Sequence, residues 1–122
     1  MSISAVPVPD TAWEAVCPLE LIRPDTGVAA LIRGRQIALV RVGSHAVYAV
    51  DNRDPFSGAM VISRGIVGDR AGAPTIASPI YKQAFDLRTG RCLDDASVAL
   101  ASWPARIVAG EIEIAVGAGA AS

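Results

Sequence analysis

Apolar and polar residues alternate in short, β-branched runs along nearly the whole chain, and glycine, proline and Asp/Asn turns break the runs. Thr11–Val16 reads as a first strand, stopped by Pro18, with one helical turn over Leu19–Ile22. Asp25-Thr26-Gly27 is a turn signal, and Val28–Arg33 is a second strand that Gly34 ends. Gln36–Val42 and Ala46–Val50 form a hairpin around Gly43-Ser44, where glycine supplies the positive φ of a tight turn. Ile66–Asp69 and Pro74–Ser78 form another around Ala71-Gly72-Ala73. Ala84–Leu87 is a strand closed by Arg88-Thr89-Gly90-Arg91, and Ala105–Val108 with Glu111–Val116 is a last hairpin. About nine short strands at this spacing predict an all-β antiparallel sandwich or barrel. There is no long amphipathic helix, internal repeat or linker. One domain is expected over residues 11–116, between a flexible N-terminus (1–10) and a disordered tail (117–122).

The chain has 122 residues, of which 52% are apolar and 19% charged, which places it among globular and not disordered chains. The formal net charge of -1 argues against a nucleic-acid partner, which needs a basic excess to hold phosphates. No apolar run approaches the ~18 residues of a membrane-crossing helix. Met1–Asp10 has neither the positive charge nor the apolar stretch of a secretion signal, so no membrane partner and a cytoplasmic location are expected.

The distribution of charge says more than its sum. Residues 1–30 carry four acids against Arg23, and residues 92–122 carry four acids against Arg106, each a net of -3. Residues 31–91 carry eight arginines and Lys82 against Asp51, Asp54, Asp69 and Asp86, a net of +5. Arginine forms planar, bidentate pairs and suits protein interfaces; a solvated surface with local ion pairs is the plainer explanation.

Catalytic chemistry is nearly missing. The lone His45 cannot form a multi-histidine metal site, and a serine nucleophile would have no other histidine as base. Cys17 and Cys92 are far apart, have no neighbouring ligand at metal spacing, and read as small buried hydrophobes. Asp94-Asp95 reads as a solvated turn, and no Lys-Ser/Thr follows Gly65 and Gly68 to make a phosphate loop. Trp13, Tyr48 and Trp103 are expected in the core or on sheet faces.

Two segments carry more specific information: Asn52-Arg53-Asp54-Pro55-Phe56-Ser57-Gly58, and Ser78-Pro79-Ile80-Tyr81-Lys82-Gln83-Ala84-Phe85-Asp86-Leu87-Arg88-Thr89-Gly90. Together they resemble the two loops of a Rieske domain, Cys-x-His-x-Gly and, about two dozen residues on, Cys-Pro-x-His-Gly-x-x-Phe-Asp-Leu-x-Thr-Gly, whose Cys and His side chains hold a [2Fe–2S] cluster. The frame is present: Gly58, Pro79, Phe85, Asp86, Leu87, Thr89 and Gly90 stand in place. The ligands are not. Asp54 and Ser78 stand where the cysteines would be, Phe56 and Tyr81 where the histidines would be, and Lys82 replaces a glycine. A carboxylate, a hydroxyl, a phenyl ring and a phenol do not match the irons in softness and charge. Phe56 and Tyr81 are expected to fill the gap between the loops, with Asp54 paired to Arg53, Arg64 or Lys82.

A cluster-free Rieske-like chain of this length is similar to the small subunits of assimilatory NAD(P)H-dependent nitrite reductase. Val50–Gly58, Ser63–Asp69 and Ala77–Gln83 carry that resemblance, and it runs from about Trp13 to Val116. Position 81 is often His in that family, and Ala84 is small for its place. The resemblance implies an all-β, Rieske-like sandwich with a small two-loop subdomain. It also implies no catalytic residue, cofactor or metal in this chain. The partner would be a large subunit that carries FAD, siroheme and an iron–sulfur cluster and reduces nitrite to ammonia. Arg53, Arg64, Arg70, Lys82 and Arg88 are the candidate docking residues, because positive charge there would steer and orient an acidic partner. Two other readings stay open: a free-standing binding module that uses the arginines for a small molecule or anion, and an electron carrier with an unusual cluster.

Overall fold

The computed structural model describes residues 13–116. Ten strands run in chain order: β1 (Glu14–Pro18), β2 (Thr26–Ile32), β3 (Arg35–Val42), β4 (Ala46–Asp51), β5 (Ile66–Arg70), β6 (Ala73–Ala77), β7 (Ala84–Asp86), β8 (Ser102–Trp103), β9 (Ala105–Val108) and β10 (Glu111–Ile114). They form three antiparallel sheets, ordered β1-β10-β9, β2-β3-β4-β8 and β5-β6-β7. Short 3₁₀ turns lie at Leu19–Leu21 and Ile62–Arg64.

The middle sheet is apolar on both faces. Successive side chains of a strand point to opposite faces, and in β3 both sets are buried: Ile37, Ala38, Leu39 and Val40 are all 0% exposed. Ile37 and Leu39, with Val47 and Ala49 of β4, enter a core closed by Ile112 and Ile114 of β10 and by Trp103 of β8. Ala38 and Val40, with Val50 of β4, enter a second core closed by Ile76 of β6, Phe85 of β7 and Leu87. The result is three layers, with β1-β10-β9 on one side of the middle sheet and β5-β6-β7 on the other.

Most boundaries fall within two residues of the sequence pattern. Residues 1–12 and 117–122, including the expected flexible ends, lie outside the described part. β1 runs on through Cys17 and Pro18 past a bulge at Ala15/Cys17, as an edge strand allows. β2 starts two residues before its pattern, at Thr26 and Gly27, and the turn sits at Pro24-Asp25. A carboxylate oxygen of Asp25 accepts the Gly43 N–H at 2.9 Å, so this turn is stitched to the β3–β4 hairpin. β8 escapes the pattern because two residues carry no periodicity; it is specified by pairing Trp103 with Ala49. Cys92 is buried and Cys17 half-buried, both as free thiols.

Gly90 shows how tightly the third layer closes. Its φ is +82°, and a Cβ there would lie 2.1 Å from the Leu100 carbonyl oxygen. Gly34 also has positive φ, but a Cβ there meets nothing within 4 Å. Gly90→Ala is therefore expected to lower stability by about 3 kcal/mol or more, and Gly34→Ala by about 1 kcal/mol, in urea unfolding.

Candidate functional site

The first loop joins β4 of the middle sheet to β5 of the third layer, and the second lies within the third layer. The first, residues 52–65, leaves β4 at Asn52, which is 1% exposed. The Asn52 side-chain amide donates to Gln36 Oε1 at 3.1 Å, and its Oδ1 accepts the Ser63 N–H at 2.8 Å. One buried side chain thus ties both ends of the loop to the middle sheet. Beyond it Arg53 bridges Met60, and the Asp54 N–H donates to the Ala59 carbonyl at 2.8 Å. Gly58, at φ +80°, turns the tip, and its N–H donates to the Asp54 carbonyl at 2.7 Å.

The second loop, residues 78–83, joins β6 to β7. The Ser78 N–H donates to the Gln83 carbonyl at 3.0 Å, and the Lys82 N–H donates back to the Ser78 carbonyl at 3.0 Å. Lys82 has φ +63°. This left-handed backbone explains why the Rieske-like pattern has glycine at that position.

Asp54 and Ser78, 24 residues apart, bind each other. The Ser78 hydroxyl donates to Asp54 Oδ2 at 2.5 Å, and the Phe56 N–H donates to Asp54 Oδ1 at 2.9 Å. Asp54 is 0% and Ser78 1% exposed. Burial alone would push the Asp54 carboxyl up, but hydrogen bonds from Ser78, the Phe56 amide and Ser57 outweigh it and hold the group below the ordinary carboxylate range. The expected pairing of Asp54 with Arg53, Arg64 or Lys82 is not made. Its partners are hydroxyl and amide donors, which satisfy a buried carboxylate without bringing a second charge into the interior.

Phe56 and Tyr81 do not plug the gap together. Phe56 is half-buried and packs on the second core, its ring 6.3 Å from Phe85 and tilted by 45°. Tyr81 is 59% exposed. The Asp54–Ser78 hydrogen bond joins the loops instead, with the buried chain beneath it packed by Phe56 and Phe85.

The five cations fall into two groups. Arg88 grips Asp86 through Nε at 3.2 Å and a terminal nitrogen at 3.0 Å, and hydrogen bonds from Arg88 hold the Asp86 carboxyl low. Arg70 lies 3.6 Å from Asp94, which also accepts the Ala84 N–H at 2.8 Å. Asp94 is therefore a structural cap and not merely a solvated turn residue. Arg53, Arg64 and Lys82 are exposed on the two loops and make no ion pair with a described residue. His45 is exposed in the β3–β4 turn, beside the Ser44 hydroxyl at 2.9 Å. Among the described residues no three His, Cys, Asp or Glu side chains converge as a metal group would require.

Comparison with known proteins places this geometry. Residues 12–115 match the Rieske-like [2Fe–2S] domain family. The chain is 38% identical to the nitrite reductase (NADH) small subunit of Salmonella typhimurium, over 84% of this chain and 95% of that protein. The chain belongs to the Rieske-like family, among its nitrite reductase small subunits. It is also 43% identical to the nitrite reductase [NAD(P)H] large subunit of Klebsiella oxytoca, over 86% of this chain and 11% of that much longer protein. A Mycobacterium tuberculosis chain assigned as an NADH-dependent nitrite reductase small subunit superposes with a TM-score of 0.80 at 48% identity, covering 84% of this chain and 92% of that one.

The family's cluster does not fit the residues at this site. The two positions that would supply thiolates hold a carboxylate and a hydroxyl already bonded to each other. The two that would supply imidazoles hold a packed phenyl ring and an exposed phenol. Both cysteines lie outside the loops. Asn52 and the Asp54–Ser78 pairing escape a reading of the sequence by family motif. The one local sign was Asp54-x-Phe56, the spacing at which an aspartate accepts the N–H two residues on.

Three outcomes follow. Asp54→Ala strands the Ser78 hydroxyl and the Phe56 amide, and is expected to lower stability by about 2–3 kcal/mol and to speed amide exchange at residues 56–59 and 79–82. A depressed carboxylate stabilises the fold above its unfolded pKa of about 3.9, and that contribution is lost as pH falls through the lower folded value. Acid titration of unfolding should therefore show a loss below about pH 4 that Asp54→Asn reduces. Lys82→Gly relieves left-handed strain but loosens the unfolded chain, so its urea midpoint should correspond to a change within about 0.5 kcal/mol.

Proposed function

We propose that this chain is a non-catalytic small subunit of an NAD(P)H-dependent nitrite reductase, docking in the cytoplasm on a large subunit that carries FAD, siroheme and an iron–sulfur cluster and reduces nitrite to ammonia. The observation that carries this is the Asp54–Ser78 hydrogen bond: it holds the loop frame together while using the two positions that would otherwise supply cysteine ligands. The chain keeps the fold of a redox module and offers no thiolate or imidazole at positions 54, 56, 78 and 81. That leaves recognition, positioning or stabilisation of a partner as its work. The Klebsiella oxytoca protein supports the partner: a stretch similar to this chain makes up 11% of a polypeptide named as a large subunit. No helix among the described residues is long and apolar enough to cross a membrane. Arg53, Arg64 and Lys82 are the docking cations on this reading; Arg70 and Arg88, held by Asp94 and Asp86, serve the fold first.

The test is affinity purification of the tagged chain from native cells grown on nitrate. A flavin- and siroheme-containing protein of the nitrite reductase type, near stoichiometric, is the expected companion. Recovery of the chain alone under gentle salt would overturn the reading in favour of a free-standing module. Arg53→Glu and Lys82→Glu are each expected to weaken the association about tenfold while changing stability by no more than about 0.5 kcal/mol.

A further inference from the structure

Eight large apolar side chains are exposed among the described residues. Three of them, Met60 (47% exposed), Ile80 (43%) and Tyr81 (59%), belong to the two loops. A fourth, Ile66, opens β5 at the foot of the first loop and is registered opposite Ala77, the residue before Ser78. Loop tips are ordinarily polar. Exposed apolar side chains on both joined loops are surface of the kind that interaction sites use.

We infer that Ile80 and Tyr81, with Met60, form the apolar centre of the surface that docks on the large subunit, and that Arg53, Arg64 and Lys82 form its charged rim. This rests on the small-subunit reading above and adds where the contact lies and what it meets. Such a surface fits a partner that offers an apolar contact with an acidic edge around it.

The turn is preorganised. The Ile80 N–H donates to Ser78 Oγ at 3.2 Å, the Lys82 N–H closes on the Ser78 carbonyl, and Ser78 is bonded to buried Asp54. A turn already held in place loses little conformational freedom on binding, so its apolar contacts reach the affinity nearly undiminished. Tyrosine is enriched at the energetic centre of interfaces, and charge belongs at the rim, where it steers approach and fixes orientation.

The charge is available. The acids near the loops are engaged elsewhere: Asp54 with Ser78, Asp51 with the Arg53 amide and with Arg35 at 3.8 Å, and Asp94 with Arg70. No described acid pairs with the three rim cations, so an acidic edge on the partner would complement them. Trp13 and Val116 flank β1 and β10, in the layer on the other side of the middle sheet.

The experiment measures binding of the cognate purified large subunit to wild type, Ile80→Asp, Tyr81→Asp and Val108→Asp by calorimetry. Val108 is 43% exposed on β9, in the opposite layer. All four should melt alike, because the replaced side chains are exposed. Both loop variants should lose at least tenfold in affinity, and Val108→Asp should bind as wild type. Wild-type affinity in both loop variants would overturn the proposed surface and leave the small-subunit reading standing. A loss confined to Val108→Asp would do the same and move the contact to the opposite layer. Failure of wild type itself to bind would overturn the small-subunit reading, and the surface with it.

Discussion

The fold depends on a middle sheet that must be covered twice. β3 buries Ile37 and Leu39 on one face and Ala38 and Val40 on the other, so exposing either face would return fully buried apolar area to water. Two flanking layers meet that demand, and each does something different. The layer β1-β10-β9 closes a core with Ile112 and Ile114 and brings the two ends of the domain together. The layer β5-β6-β7 closes the other core with Ile76 and Phe85, carries the second loop and receives the first from β4. The loops therefore stand on a rigid base, and Asn52 pins the first of them directly to Gln36 of β3.

On that base the chain has exchanged one kind of cross-link for another. Where a Rieske-like frame would be joined through metal, Asp54 and Ser78 are joined by a charge-assisted hydrogen bond in a buried setting, the stronger class of such bonds. It needs no cofactor and keeps the loops in the same register. The burial that raises the energy of a carboxylate is outweighed by donors aimed at it: the Ser78 hydroxyl, the Phe56 amide and Ser57. None of positions 54, 56, 78 and 81 is a cysteine or a histidine.

The same economy shows in the cations. Arg88 is paired with Asp86 and Arg70 with Asp94, contacts at the surface of the third layer. Arg53, Arg64 and Lys82 are not spent, and all three sit on the loops. A positive middle segment in the sequence resolves in three dimensions into arginines paired with described acids and cations that are not, and Lys82 of the second group follows the exposed Ile80–Tyr81 pair directly.

Much of this was legible along the chain. Strand positions follow from residues a few places apart, so the β3–β4 and β5–β6 hairpins and the last hairpin stand where the alternation puts them. The unsuitability of positions 54, 56, 78 and 81 for an iron–sulfur cluster needs only the identity of four side chains. Other features were decided by tertiary structure alone. β2 starts at Thr26 and not Val28 because Asp25 reaches across to the Gly43 amide. Gly27 then sits in a strand, where a Cβ would come within 2.8 Å of the Ser63 carbonyl oxygen. β8 exists because Trp103 finds Ala49. Phe56 turns inward because Phe85 is there to receive it, while Tyr81 turns outward and Asp54 takes a hydroxyl instead of an arginine. Each of these outcomes joins residues far apart in the chain, and short-range pattern carries no record of which distant side chain or backbone group will be the partner.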